Sequence, residues 1–201
     1  MALTVFNLLL TLHLMSQTSA TTAPPVTTSE PGNGQWLERD SSWVVDSSGV
    51  WVDDKGRAYD AAKALDGDKG TYWNAQAKGQ RTYNYNNWYF VLDLITSHTL
   101  TRIAVNNYGD TTHDTAAFTL QKSQAGSPYT WEDVVSVDNV TGGTRQRQEF
   151  GGFQGTARYW RFVVTRTHSG WQPWLPELDF YGILRGKGKH HSCQSVFRVR
   201  S

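Results

Sequence analysis

The chain has one cysteine, two methionines and six prolines among its 201 residues. With Cys193 alone, no disulfide can close within the chain, and the fold must stand on its own apolar core. In an exported chain an odd cysteine leaves a free thiol or joins two chains, so Cys193 allows a disulfide-linked dimer. An excess of one charge is missing too: 19 Lys and Arg stand against 18 Asp and Glu. That balance gives no overall field to draw in nucleic acid, and no nucleic-acid partner is expected. No apolar run reaches the roughly 20 residues of a bilayer span, so no transmembrane segment is expected. The central region lacks a nucleophile-elbow serine, a histidine pair at metal spacing and a Gly-rich phosphate loop. Asp66 and Asp68 sit two apart in a tight loop, a poor match to the separation of about 5 to 9 Å that glycoside hydrolysis needs. The expectation is therefore a protein that is not an enzyme.

Aromatic residues are plentiful: nine Trp, nine Tyr and eight Phe, beside 18 Gly. That mixture suits short strands and aromatic-lined loops better than helices. Residues 1–20 hold an apolar run from Val5 to Leu14, followed by the small residues Ser16, Ser19 and Ala20. The pattern is that of a secretory signal peptide, which makes the mature protein secreted and extracellular. Residues 21–35 are rich in Thr, Pro and Ser and read as a disordered linker. Residues 184–201 form a basic tail with Arg185, Lys187, Lys189, Arg198 and Arg200 and no acid. Such a tail is solvated or touches a polyanion. His190, His191 and Cys193 in it offer three zinc-type ligands, but without a fourth or a scaffold. Asn139-Val140-Thr141 is an N-glycosylation sequon, expected on a loop facing solvent, away from the binding surface.

Between these ends, residues 36–183 read as one all-β domain, a β-sandwich or jelly roll. Trp88, Phe90, Leu92 and Leu94 alternate with Tyr89, Val91 and Asp93; Leu100, Ile103 and Val105 bracket Arg102 and Ala104. Phe118 and Leu120, the stretch from Val134 to Val137, the run from Tyr159 to Thr165, and Leu178 with Phe180 have the same strand character. One short helical piece is expected around Arg57 to Leu65, where alanines gather.

Four segments carry a family resemblance. The run from Ala61 to Trp73 reads Ala-Ala-Lys-Ala-Leu-Asp-Gly-Asp-Lys-Gly-Thr-Tyr-Trp. Trp88-Tyr89-Phe90-Val91-Leu92-Asp93-Leu94, Ala157-Arg158-Tyr159-Trp160-Arg161-Phe162 and Pro176-Glu177-Leu178-Asp179-Phe180-Tyr181-Gly182 follow in order. Together they resemble the discoidin domains, also called coagulation factor V/VIII type C domains, a galactose-binding-domain-like family related to family 32 carbohydrate-binding modules. The resemblance spans Trp36 to Gly182.

Taken alone, Asp66, Asp68 and Thr71 in a loop bent by Gly67 and Gly70 suit either a turn with Asp side chains capping backbone N–H groups or a hard cation with oxygen ligands. The resemblance favours the cation. It implies a structural Ca2+ held by Asp66, Asp68, Thr71 and Glu177, with a carbonyl from Lys63, tying the first loop to the last strand.

A sugar site needs aromatic faces for the apolar side of a pyranose, with amides, acids and His or Arg for its hydroxyls. Three loops offer these groups: 76–87 with Arg81, Tyr83 and Tyr85; 106–114 with Asn107, Tyr108, Asp110 and His113; and 165–176 with His168, Trp171, Gln172 and Trp174. Asn74, following Trp73, joins them. For Trp171 and Trp174, packing under the closing strand is an equal reading for one of the pair, and His113 reads equally as a satisfied surface histidine. Galactose-binding relatives imply a His soon after Trp73 and an Arg in the 107–110 loop; this chain has Asn74 and Asn107-Tyr108-Gly109-Asp110 instead. The adjacent cysteines of fucose-binding lectins would fall near Thr111 and Thr112.

The expected function is recognition or adhesion through glycans or glycoproteins. The alternative is a protein-binding or anionic-phospholipid-binding discoidin module. For lipid, Val50 and Trp51 are expected at a hairpin tip beside Lys55 and Arg57, though Asp46, Asp53 and Asp54 surround them.

Overall fold

The computed structural model describes residues 34–75 and 88–184. The expected signal peptide, almost all of the linker, Tyr85 with the rest of loop 76–87, and Cys193 with the basic tail lie outside the described residues. Gln35, assigned above to the linker, already pairs with Gly182 in a first short strand.

The organising element is β6, Trp88–Asn106, which is 19 residues long. The sequence pattern divides it in two around a polar stretch, Thr96, Ser97 and His98. The backbone runs straight through, turning at Ile95, whose φ of 64° lies in the left-handed region. An exposed β-branched residue there is strained, and the turn lets one strand serve two layers. The first part of β6 pairs antiparallel with β2 (Val44–Ser47) and β10 (Gly155–Thr167), and residues 155–157 of β10 also pair with 98–100 past the turn. Strand β10 then pairs with β7 (Thr115–Ser123), and β7 with β8 (Glu132–Val137). Past the turn, β6 pairs with β9 (Arg147–Phe150) and with β12 (Glu177–Leu184), and β12 holds β1 (Gln35–Trp36). The layers are thus β2-β6-β10-β7-β8 and β9-β6-β12-β1, joined through β6. This is the expected all-β sandwich.

One core fills the space between them. Phe90, Leu92, Leu100, Ile103, Phe118, Leu120, Trp160, Phe162 and Leu178 are all fully buried. They are the inward members of the alternating runs, and fully burying each large apolar side chain contributes about 1.5 to 3 kcal/mol. The closing Gly182 is fixed by space: a Cβ there would lie 2.3 Å from the carbonyl oxygen of Thr99. Only glycine lets β12 approach β6 so closely.

The expected helix is a single 3-10 turn, Ala61–Leu65, capped by Asp60, whose carboxylate accepts the N–H of Ala62. Ala61, Ala64 and Leu65 face the core. Lys63 is left at the surface and the chain emerges at Asp66.

Candidate functional site

Two short strand pairs lie off the main layers: β3 (Trp51–Val52) with β4 (Ala58–Tyr59), and β5 (Trp73–Asn74) with β11 (Trp174–Leu175). Trp73 points inward, fully buried, and donates its indole N–H to the carbonyl of Gly49. Alternation then turns Tyr72 outward. Tyr72 is the hub of an aromatic surface: its ring centroid lies 5.0 Å from Tyr59, 4.9 Å from Tyr108 and 5.2 Å from Trp174. Trp51 extends the row beyond Tyr59 at 4.8 Å. At the other end His113 stacks flat on Trp174, with centroids 3.7 Å apart and planes 5° from parallel. These six rings are all partly exposed. Rings so placed offer faces and edges to an apolar ligand surface, although the indole N–H of Trp174 is itself buried.

The 107–114 loop that carries Tyr108 and His113 is held by its own polar residues. Asn107, 1% exposed, donates to the carbonyls of Thr115 and Thr141 and accepts the N–H of Thr115. Buried Asp114 accepts the N–H groups of Gly109 and Gly143; burial raises its pKa despite those bonds. Asp110 accepts the N–H groups of Thr112 and His113 and stands 3.2 Å from His113 Nδ1. Its carboxyl is held below the usual range because these hydrogen bonds outweigh partial burial. Gly109 has φ of 97°, and a Cβ there would press on Arg145, whose guanidinium lies over Tyr108 at 4.8 Å.

The expected ligand residues therefore divide. Trp174, His113 and Asp110 come together at the aromatic surface. Asn107 faces inward with its amide engaged, so it is a frame for the loop and does not face a ligand. Asn74 is likewise buried, paired across to Trp174. His168 is exposed, with Nε2 on the carbonyl of Val140. Trp171, 37% exposed, is the most open tryptophan among the described residues, so Trp171 and Trp174 split between open and partly packed. Tyr59 and Tyr72 stand in the same row but are not among the expected ligand residues; the outward position next to Trp73 is the signal that finds Tyr72.

Two placements differ from expectation. Val50 and Trp51 are not at a hairpin tip: Trp51 pairs with Tyr59, and the tip is Asp53, Asp54, Lys55 and Gly56. Asp53 shapes it by accepting the N–H groups of Lys55 and Arg57 and pairing with the Arg57 side chain. A polar, carboxylate-bound tip does not enter hydrocarbon, which removes the lipid-inserting spike. Asn139 is exposed as expected, but its loop does not point away: Val140 and Thr141 bond to His168 and Asn107, so it abuts two of the loops offered for ligand binding.

The expected cation-binding side chains lie in the 66–71 turn, which leads into Tyr72, and at the start of β12. Asp66 accepts from the N–H of Asp68 and the hydroxyl of Thr71, and Asp68 accepts the N–H of Gly70. Lys63 Nζ stands 3.7 Å from Asp66. Glu177 at the head of β12 is fully buried, and neither of its carboxylate oxygens receives a hydrogen bond. Arg39 lies within ion-pair range at 3.1 Å, off hydrogen-bond geometry, and donates to Asp179 instead. Burial outweighs Arg39, and with Asp179 and Asp66 adding to it the Glu177 carboxyl is pushed up to about 7. A buried carboxylate with open lone pairs next to an acidic turn fits a cation. Among the described residues no three acidic, His or Cys side chains cluster at metal-binding range, so hydroxyl and carbonyl oxygens would have to complete the set.

Comparison with known proteins agrees with this architecture. Residues 63–162 match the model of the NedA-like, galactose-binding domain of the F5/F8 type C group. The fold is similar to the C-terminal domain of a chitobiase from Bacteroides fragilis: TM-score 0.63, 18% identity, 76% of this chain and 100% of that one covered. It is also similar to the family 32 carbohydrate-binding module of Clostridium perfringens NanJ in complex with galactose, with TM-score 0.56, 12% identity and 74% and 99% coverage. A third is chitosan-binding module 2 with chitotriose, from a chitosanase/glucanase of Paenibacillus sp. IK-5, with TM-score 0.54, 20% identity and 73% and 98% coverage. No curated protein matches the chain by sequence. Motifs, sandwich and family match lead to one assignment: residues 63–162 are those of a discoidin-like, galactose-binding-like F5/F8 type C domain, and the fold is the one seen in family 32 carbohydrate-binding modules.

Proposed function

We propose that this domain is a non-catalytic recognition module that binds glycans on the surface formed by Trp51, Tyr59, Tyr72, Tyr108, Trp174 and His113. The observation that carries the reading is that continuous, partly exposed row of rings, backed by a loop whose amides and carboxylates hold it rigid. A rigid aromatic platform binds a pyranose at little entropic cost, since few rotors freeze on contact. Solved relatives of the same fold hold galactose and chitotriose, which supports a sugar ligand for this one.

The same reading includes export through residues 1–20 and a structural calcium ion held by Asp66, Asp68, Thr71 and Glu177 with a carbonyl from Lys63. Calcium takes six to eight oxygens, carbonyls among them. Such an ion would neutralise Glu177 and pin the 66–71 turn beneath Tyr72. The test is a glycan array probed with the full chain, with calcium and with chelator, alongside Tyr72→Ala and Trp174→Ala variants. Selective binding that both substitutions weaken at least tenfold is expected; binding that survives both places the site elsewhere, and silence across the array rejects the glycan reading.

A further inference from the structure

Between the β3-β4 hairpin and the 66–71 turn runs a groove of about 270 Å³, lined by Arg57, Tyr59, Lys63, Thr71 and Tyr72 among others. It borders the aromatic surface through its two tyrosines. Its hydrogen-bonding groups are lopsided. Among the described residues the carboxylates around it already hold donors: Asp53 takes two backbone N–H groups and the Arg57 Nε, and Asp66 takes the Asp68 N–H and the Thr71 hydroxyl. Asp68 is bound to Gly70.

The donors are left over. Arg57 uses only Nε on Asp53, so both terminal nitrogens lack a partner among the described residues. Among the described residues Lys63 Nζ has only Asp66, at 3.7 Å, beyond hydrogen-bond range. Among the described residues the hydroxyls of Tyr59 and Tyr72 have no hydrogen-bond partner either. A neutral sugar brings hydroxyls that donate as well as accept, and here the charged groups with most capacity left are donors. A carboxylate or sulfate only accepts, and the terminal nitrogens of Arg57 with the Lys63 ammonium suit it.

We infer that this groove binds an acidic sugar, a uronate, sialate or sulfated residue, whose anionic group is held by Arg57 and Lys63 while its ring lies against Tyr59 and Tyr72. The inference rests on the glycan reading above and adds the ligand's charge to it.

The test is an array of uronate-, sialate- and sulfate-bearing oligosaccharides, each printed beside its methyl-esterified or desulfated counterpart, followed by titration of the best pair in solution at low and high salt. Charge-assisted contacts of this kind separate such pairs by about tenfold or more. The acidic member should bind at least tenfold tighter, the margin should shrink as salt rises, and Arg57→Gln with Lys63→Gln should erase it. Each side chain projects from the surface, and unchanged near-UV circular dichroism would show that the double variant is folded. A preference for one acidic class over the others identifies the anion. Equal binding of both members, or a preference that the double variant keeps, overturns the inference and leaves the glycan reading standing. No binding to any glycan, acidic or neutral, overturns both.

Discussion

The molecule holds two sets of aromatic residues that differ in what surrounds them. Inside the sandwich, Trp73, Trp88, Phe90, Phe118, Trp160, Phe162 and Phe180 are shut away from water. At the loop end, Trp51, Tyr59, Tyr72, Tyr108, Trp174 and His113 touch one another but stay partly exposed. The core set uses phenylalanine and tryptophan, with no phenol to desolvate. The loop set contains three tyrosines, whose hydroxyls need water or a ligand. Ring packing within each set is similar in distance, as in Phe118 with Phe162 at 5.0 Å and Tyr59 with Tyr72 at 5.0 Å. What separates the two sets is therefore solvent and polar chemistry at the ring edges, not the contact itself.

The largest effect comes from breaking the inner set. Phe90 packs against Trp73 and Phe162 with no exposed surface. Phe90→Ala should cost about 3 to 5 kcal/mol through lost burial and the cavity left behind. For a domain of this size that lowers Tm by on the order of 10 °C, measured by thermal unfolding. A small shift would mean that the core collapses around the gap and is looser than its burial implies.

Next comes the proposed calcium ion, which would sit at the 66–71 turn that leads into Tyr72. At a hundredfold excess over its Kd the ion should stabilise the fold by about 2.7 kcal/mol, seen as a Tm that falls when chelator is added. Glu177→Gln should abolish that difference, because a neutral amide accepts the ion poorly. A chelator effect that persists in the variant would move the ion away from Glu177.

Breaking the outer set should split stability from binding. Tyr72→Ala removes three ring contacts at a partly wet site and should cost about 1 to 2 kcal/mol, while weakening glycan binding at least tenfold. Calorimetry on the same sample reads both quantities. Equal losses in the two would make Tyr72 a scaffold residue like Phe90.

The inner set was open to reading in the sequence, since Phe90, Leu92, Phe118 and Phe162 follow the strand period and burial leaves them no alternative. The continuity of β6 was not. Thr96, Ser97 and His98 look like a loop, and the left-handed turn at Ile95 carries no glycine to announce it. The outer set was legible only in part. Trp174 and His113 stood out as polar-edged rings in a loop, but Asn107 has the same composition signal whether its amide faces a sugar or the carbonyls of Thr115 and Thr141. The hairpin turns at Asp53 to Gly56 and not at Val50 and Trp51, because Asp53, through three hydrogen bonds, sets where the chain turns. Turn geometry of that kind depends on side-chain contacts that hydrophobic periodicity does not record.

The smallest effect sharpens the comparison by testing a cation away from both sets. Arg158 sits on the outer face of β10, its guanidinium gripping both oxygens of Asp93, and it lies near the Tyr159 ring at 5.0 Å. It thus has what Arg57 and Lys63 lack, a carboxylate that fully occupies its fork. Because the pair stands in solvent, water and salt replace most of what is lost when it is removed. Arg158→Gln should shift Tm by about 2 °C or less and leave acidic-glycan binding unchanged, whereas the same change at Arg57 should leave Tm similar and cut binding. If Arg158→Gln weakened binding as much, the response would follow net charge over the whole surface, and the groove between Arg57 and Lys63 would lose its claim to be the place where the anion sits.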